Sequence, residues 1–358
     1  MKLLELLKRD AKGIFSKFLK NKLNNYKMKM EKKIEKIFFN CPVCGSSHFS
    51  KIYGITVFDV CLCRFCGLVC LNPRMDEKGY MEGFIKNYRK DLFGDYLADS
   101  VDPDKPYGKV IESPGPKKVF NDLKSYLSNK AKILDVGCGY GEELILFKQN
   151  GFNNLTGIDP IPEYYQRFKK FYDIEYYNKS LSEFAGTINK EKKFDCIILN
   201  HVIEHFVEPD KSLETINNLM VENGILYVRT PDLYKFSRSF SQFCIPHTFY
   251  FSQTTLENLL KKCGFKIKRY FDNLISDEIV FLAEKEKKIE LIKYDHSEYK
   301  RVFAYIKKNK ILFIFFKSKR FIEEIFIKVF GENAYLRIRC FFKNCAIALI
   351  KKYRRYRK

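Results

Sequence analysis

One stretch constrains this chain more than any other: Lys132-Ile133-Leu134-Asp135-Val136-Gly137-Cys138-Gly139-Tyr140-Gly141. An apolar strand runs into an acid and then a glycine-rich turn, and Glu142 to Phe147 reads as the start of a helix. Glycines allow a tight turn and let a ligand lie against bare main chain, the arrangement that seats a nucleoside-type cofactor. The spacing is not the full G-x-G-x-x-G fingerprint, so its meaning depends on the strands C-terminal to it.

Asp159 stands 24 residues after Asp135 and closes a second apolar segment, Leu155-Thr156-Gly157-Ile158. A carboxylate so placed can accept both hydroxyls of a ribose. Further strands are predicted at Ile174 to Tyr177, Phe194 to Leu199 and Gly224 to Pro231. The fourth strand runs into Asn200-His201-Val202-Ile203-Glu204-His205. Strands alternating with helical stretches predict an α/β fold with a doubly wound sheet whose ligands sit at the carboxyl ends of the strands.

Taken together, these motifs, with His247-Thr248-Phe249-Tyr250-Phe251-Ser252, Leu256 to Leu260 and Gly264-Phe265 further on, make residues 117–286 resemble a class I S-adenosylmethionine-dependent methyltransferase domain. The resemblance implies a seven-stranded sheet with its last strand antiparallel, here Glu278 to Ala283. It also implies S-adenosylmethionine as cofactor: Gly137, Cys138, Gly139 and Gly141 against the methionine part, Asp159 on the ribose, Ser180 and Leu181 near the adenine, and Asn200 facing the sulfonium. Asp135 would fix the turn or reach the cofactor amino group indirectly. A nicotinamide-binding domain is the competing reading of the glycine turn.

Six of the twelve cysteines fall between Cys41 and Cys70. Cys41-Pro42-Val43-Cys44-Gly45 and Cys63-Arg64-Phe65-Cys66-Gly67 are two C-x-x-C-G knuckles, each pointing two thiolates at one centre. Together they predict a closed tetrahedral site for structural Zn2+ on Cys41, Cys44, Cys63 and Cys66. Cys61 competes with Cys63, and His48 with any one ligand. Buried apolar cysteines or disulfides are the alternatives; disulfides are disfavoured because no signal peptide opens the chain and a reducing, cytoplasmic setting is expected. The order of parts, a zinc ribbon followed by Asn72-Pro73-Arg74, is similar to bacterial methyltransferases of sugar and surface-polysaccharide pathways.

The net charge of +22 is uneven. Residues 1–38 carry +8 and residues 299–358 carry +15, which leaves −1 for residues 39–298. In the basic extension 1–38, Leu3, Leu4, Leu7, Ala11, Ile14, Phe15 and Phe18 fall at helical spacing with lysines between them. The basic, aromatic-rich tail 287–358 has no apolar run of bilayer-spanning length. Both ends suit either the inner face of an anionic membrane or packing on the catalytic domain. Between the ribbon (39–76) and the catalytic domain, residues 77–116 read as a helical joining segment and a Pro/Gly linker.

Methyl transfer to a hydroxyl needs a base, most often histidine. His247 is the first candidate, in the segment after strand five, and His201 the second, just past strand four. His205 reads as a packing residue, since helical spacing turns it from Asn200. Tyr250 and Arg229 are candidate substrate contacts. The leading function is methylation of a sugar or glycan acceptor. A ribosomal RNA methyltransferase is the alternative, although strand four lacks the Asn-Pro-Pro-aromatic tetrapeptide of base-amino methylation; a non-catalytic zinc-bearing adaptor is a third reading.

Overall fold

The computed structural model describes residues 36–82 except 56–57, 114–235 except 163, 166–167 and 169–171, 243, 247–286 except 272–276, 292, 294 and 296–309. The amphipathic stretch of the N-terminal extension, the joining segment beyond 82, the proline-rich linker up to 113 and the tail beyond 309 lie outside the described residues. Described residues from 36 to 303 belong to one compact unit, and 304–309 to a second. Among the described residues, no helix is long and apolar enough to cross a membrane.

The chain begins with β1 (Lys36–Ile37), β2 (Phe49–Ile55), β3 (Phe58–Cys63), β4 (Val69–Leu71) and β5 (Arg74–Met75), then a short α1 (Glu77–Gly79) capped by Asp76. Each cysteine knuckle closes with a left-handed glycine, Gly45 at φ 76° and Gly67 at φ 80°, a conformation that side chains resist. Gly45 N–H donates to Cys41 O and Gly67 N–H to Cys63 O, which folds each pair of thiols back on itself.

After α2 (Pro114–Leu123), β6 (Ile133–Val136), α3 (Glu142–Gln149), β7 (Leu155–Ile158), β8 (Glu175–Tyr177), α4 (Leu181–Thr187) and β9 (Phe194–Asn200) alternate strand and helix. A 3₁₀ turn (Ile203–His205), α5 (Pro209–Leu219), β10 (Met220–Pro231), β11 (Phe249–Tyr250), α6 (Gln253–Lys262), β12 (Phe265–Tyr270) and β13 (Glu278–Lys285) complete the order. Seven strands form one sheet in the order β12-β13-β10-β9-β6-β7-β8. Strands β6 to β10 pair in parallel, while β13 runs antiparallel to both β10 and β12. The expected sheet with a reversed strand at Glu278 is therefore present. β12 completes the seven.

Strand alternation sends side chains to two cores. Leu134, Val136, Ile197, Leu199 and Val228 face α4 to α6 and join Phe249 and the ribbon's Cys63 and Leu68 in one cluster. Ile133, Cys196, Ile198 and Tyr227 face Val119, Leu144 and Phe147 of α2 and α3. From β6 the chain moves outward to β7 and β8, then returns to place β9 on the other side of β6. That reversal opens a crevice at the carboxyl ends of β6 and β9, where ligands of such sheets bind.

The ribbon forms a second sheet, ordered β11-β4-β3-β2. Its outer strand β11 comes from the catalytic half of the chain and pairs Phe249 with Cys70 and Tyr250 with Val69.

Gly141 tests the packing behind the turn. Its φ is 76°, and a Cβ there would overlap the buried ring of Phe168. Gly141→Ala should lower unfolding stability by about 1–3 kcal/mol in urea melts; an unchanged midpoint would show the packing to be misassigned.

Candidate active site

The glycine turn is held from both sides. Gly137 (φ 68°) and Gly139 (φ 54°) are left-handed; a Cβ at Gly137 would lie 2.7 Å from Val202 Cγ2, so that position admits only glycine. At Gly139, by contrast, no atom of the described residues other than its chain neighbours lies within 4 Å of the place a Cβ would take, which leaves that side of the main chain open. Asp159 ties this turn to the next loop: Gly139 N–H donates to its Oδ2 at 3.0 Å and Ile161 N–H to its Oδ1 at 2.9 Å. Tyr176 Oη donates to Gly139 O at 3.1 Å. Cys138 is buried beneath the turn. Ser180 caps α4 through a reciprocal box with Glu183, with Leu181 buried beside it.

Around this open backbone the protein collects acids. Asp135 is buried and its Oδ2 has no hydrogen-bond partner. Burial, then the charges of Glu143, Glu142 and Asp159, push its carboxyl well above the usual range. Burial pushes Glu142 up to about 7, helped by Glu143. Glu143 is also raised by burial, and it accepts from Asn200 Nδ2 at 2.7 Å. Asn200 Oδ1 is left buried without a partner. Crowded acids with raised carboxyls and two unpartnered oxygens mark this crevice as a candidate binding site.

On the other side of the strand ends lies a histidine cluster. His201 has φ 56°, which breaks the chain direction after β9 and sets up the 3₁₀ turn. Its Nε2 lies 2.9 Å from Glu278 Oε1, and its Nδ1 lies 3.4 Å from Glu204 Oε1. Burial opposes protonation of His201, but the hydrogen bonds to Glu204 and Glu278 prevail and raise it to about 9. Arg229 grips Glu278 with two bonds, 2.9 and 2.8 Å, so its charge serves that pair. Burial likewise opposes ionisation of Glu204, yet His201 and the neighbouring imidazoles hold it near 2.

His205 stands with its ring 4.9 Å from that of His247, edge to face at 75°. Ligand atoms of Glu204, His205 and His247 all lie within 4.8 Å of one another. Burial, then His205, depress His247 to about 4, so its ring is neutral near pH 7. Tyr80 Oη meets His205 Nδ1 at 2.9 Å. Sequence reasoning gave no role to two of these residues, Glu204 and Tyr80, and a packing role to His205. Glu204 and His205 were visible in the strand-four motif, but the left-handed His201 that redirects them was not; nothing marked Tyr80, 125 residues away from His205.

The four knuckle cysteines converge as expected. Their sulfurs all lie within 4.8 Å of one another, with Cys41–Cys66 at 3.4 Å and Cys44–Cys63 at 3.5 Å. A tetrahedral zinc with about 2.3 Å bonds has S–S edges of about 3.8 Å, and a disulfide is about 2.05 Å. The spacing fits the metal. Cys61 instead donates to Asn72 O at 3.2 Å, and His48 is exposed outside the cluster.

The His201–Glu278 pair gives a pH test. His201 rises from 6.5 to about 9, so its contribution is complete below pH 6.5 and fades as pH rises through 9. Glu278 falls from 4.5 to about 2, so its contribution is complete above pH 4.5 and fades as pH falls through 2. Urea midpoints should decline between pH 6.5 and 9, and Glu278→Gln should flatten that decline. An equally steep slope in the variant would contradict the pairing.

Residues 114–270 match the family model described as a methyltransferase domain. The chain is similar to the tRNA U34 carboxymethyltransferase of Campylobacter fetus subsp. fetus, at 28% identity over 153 residues, 38% of this chain and 53% of that protein. It is also similar to the ubiquinone biosynthesis O-methyltransferase of Glaesserella parasuis, at 25% identity over 130 residues, 32% and 54% of the two chains. The solved magnesium protoporphyrin IX methyltransferase of Synechocystis, with bound SAH, aligns at TM-score 0.43 and 15% identity, covering 57% of this chain and 100% of that one. The chain spans about half the length of the curated relatives it matches. Together with the strand order of the seven-stranded sheet, the family match makes residues 114–270 a methyltransferase domain of the class I type.

Proposed function

We propose that this chain is an S-adenosylmethionine-dependent methyltransferase acting on a hydroxyl of a sugar or glycan. The observation that carries the donor assignment is the open backbone at Gly139 among crowded, partly unpaired acids. When bound, the donor supplies a methyl on a positively charged sulfur, and its amino group adds a second positive charge. Those charges suit Asp135, Glu142 and Glu143. Gly137, Cys138, Gly139 and Gly141 would hold the methionine part, Asp159 the ribose, Ser180 and Leu181 the adenine, and Asn200 the sulfonium side.

His247 is the base of this proposal. Its neutral ring can take the proton of an acceptor hydroxyl, whereas His201 is held charged by two carboxylates and serves to orient and to polarise. The acceptor class rests on the ribbon and the Asn72-Pro73-Arg74 join. Residues 39–298 carry a net charge of only −1, so the positive charge that would neutralise RNA phosphates lies in the two ends of the chain. Cys41, Cys44, Cys63 and Cys66 are proposed to hold one structural Zn2+.

Calorimetry with S-adenosylhomocysteine should show binding that Asp159→Ala weakens at least tenfold without unfolding the chain; unchanged affinity would displace the ribose from Asp159. Methyl-labelled donor should pass label to nucleotide-linked sugars rather than ribosomal RNA, and His247→Gln should cut kcat by roughly 10²-fold or more. Label on RNA alone would overturn the acceptor assignment.

A further inference from the structure

The ribbon does more than sit beside the catalytic domain, because the two share a sheet. β3 and β4 are joined by the second cysteine knuckle, so Cys63 ends one strand and Cys66 lies in the turn to the next. β4 then pairs on its far edge with β11, which starts two residues after His247. Between them stands Thr248, buried, with both backbone groups engaged. Leu71 N–H of the ribbon donates to Thr248 O at 2.9 Å, and Thr248 N–H donates to Glu204 O at 2.8 Å. One residue thus ties the cysteine hairpin to both arms of the histidine cluster.

Other tethers act at the same place. Phe249 is fully buried against Phe39, which precedes the first knuckle, at 6.0 Å between ring centroids. The guanidinium of Arg74 covers the Phe39 ring at 3.7 Å. Past the ribbon, Tyr80 meets His205. Lys262 Nζ donates to Pro42 O, and Tyr294 Oη to Val43 O, each at 2.6 Å, clamping the first knuckle to the domain. On the donor side the link is slighter: Ser182 Oγ donates to Glu77 at 3.0 Å in an exposed position. The glycine turn itself hangs on β6 and β7.

We propose that the four-cysteine centre positions the acceptor half of the active site: metal bound there fixes the β3–β4 hairpin, and β4, through β11 and the Leu71–Thr248 bond, fixes His247 over the acceptor. The proposal rests on the zinc reading of the four cysteines. A two-residue strand such as β11 gains too little from its own pairing to order a loop, so its register is set by the strand it joins. Four cysteines that lose their metal leave the knuckles with two poorly hydrogen-bonded pairs of thiols, and structural zinc sites draw much of their folding energy from the ion. Loosening should therefore spread along β4 to His247 and leave the glycine turn in place.

The test compares the full chain as purified, after zinc chelation, and after zinc is restored. Zinc content is read by elemental analysis, His247 accessibility by the rate of diethylpyrocarbonate modification followed by mass spectrometry, and the donor side by S-adenosylhomocysteine affinity. One zinc per chain is expected. Its removal should speed His247 modification at least about fivefold, change S-adenosylhomocysteine affinity less than about twofold, and be reversed by zinc. Leu71→Pro, which removes the N–H that Thr248 accepts, should speed His247 modification with zinc retained. If that variant loses zinc by misfolding, the chelation comparison decides alone. Unchanged His247 modification after zinc loss overturns the positioning role while leaving the zinc reading intact. Parallel loss of donor binding also overturns it, since the ribbon would then support the whole domain. A chain that neither contains nor takes up zinc overturns the zinc reading itself, and the positioning role with it.

Discussion

The conformation of three glycines at the end of β6 decides what the rest of the domain can do. Gly137, Gly139 and Gly141 all have positive φ, so the chain leaves the central strand, turns, and enters α3 without a side chain in its path. Val202 fills the space beside Gly137 and Phe168 the space beside Gly141. Only Gly139 opens outward, and its N–H is anchored to Asp159. The turn is therefore rigid on its inner sides and bare on one outer side. That single opening fixes where a ligand can lie, and the surrounding acids fix its sign.

The acceptor side obeys a different logic. Its histidines come from two segments far apart in the chain, brought together by the left-handed backbone at His201 and by the strand that β11 adds to the ribbon. Charges there are paired in a series from Arg229 through Glu278 and His201 to Glu204. His247 lies at the end of that series, where burial keeps it neutral. The two imidazoles thus shift in opposite directions because hydrogen bonds to two carboxylates outweigh burial at His201, whereas burial, then His205, prevails at His247.

Local chemistry explains what was legible in the sequence. The glycine turn, Asp159 and both cysteine knuckles are short motifs whose geometry is set by residues a few positions apart: the turn follows β6, Asp159 follows β7, and the four knuckle sulfurs converge. Strands β6, β7, β9 and β10 announced themselves as apolar runs, whereas β13 was expected from the family resemblance. β12 was less plain, since a register shift between Ile267 and Arg269 interrupts its alternation. β11 could not be seen, because two residues paired with a strand about 180 positions earlier leave no periodicity. For the same reason Tyr80 gave no signal. His205 read as a packing residue from helical spacing; the positive φ of His201 and the 3₁₀ turn that follows it place its ring beside that of His247.

The most direct measurement is a crystal structure of the chain soaked with S-adenosylmethionine. The account predicts density crossing the bare backbone at Gly139, with the ribose on Asp159, the amino group near Asp135 and the methyl directed toward His247. Density in another cleft, or a ligand bound with its charged sulfur away from the acids of β6 and α3, would contradict it.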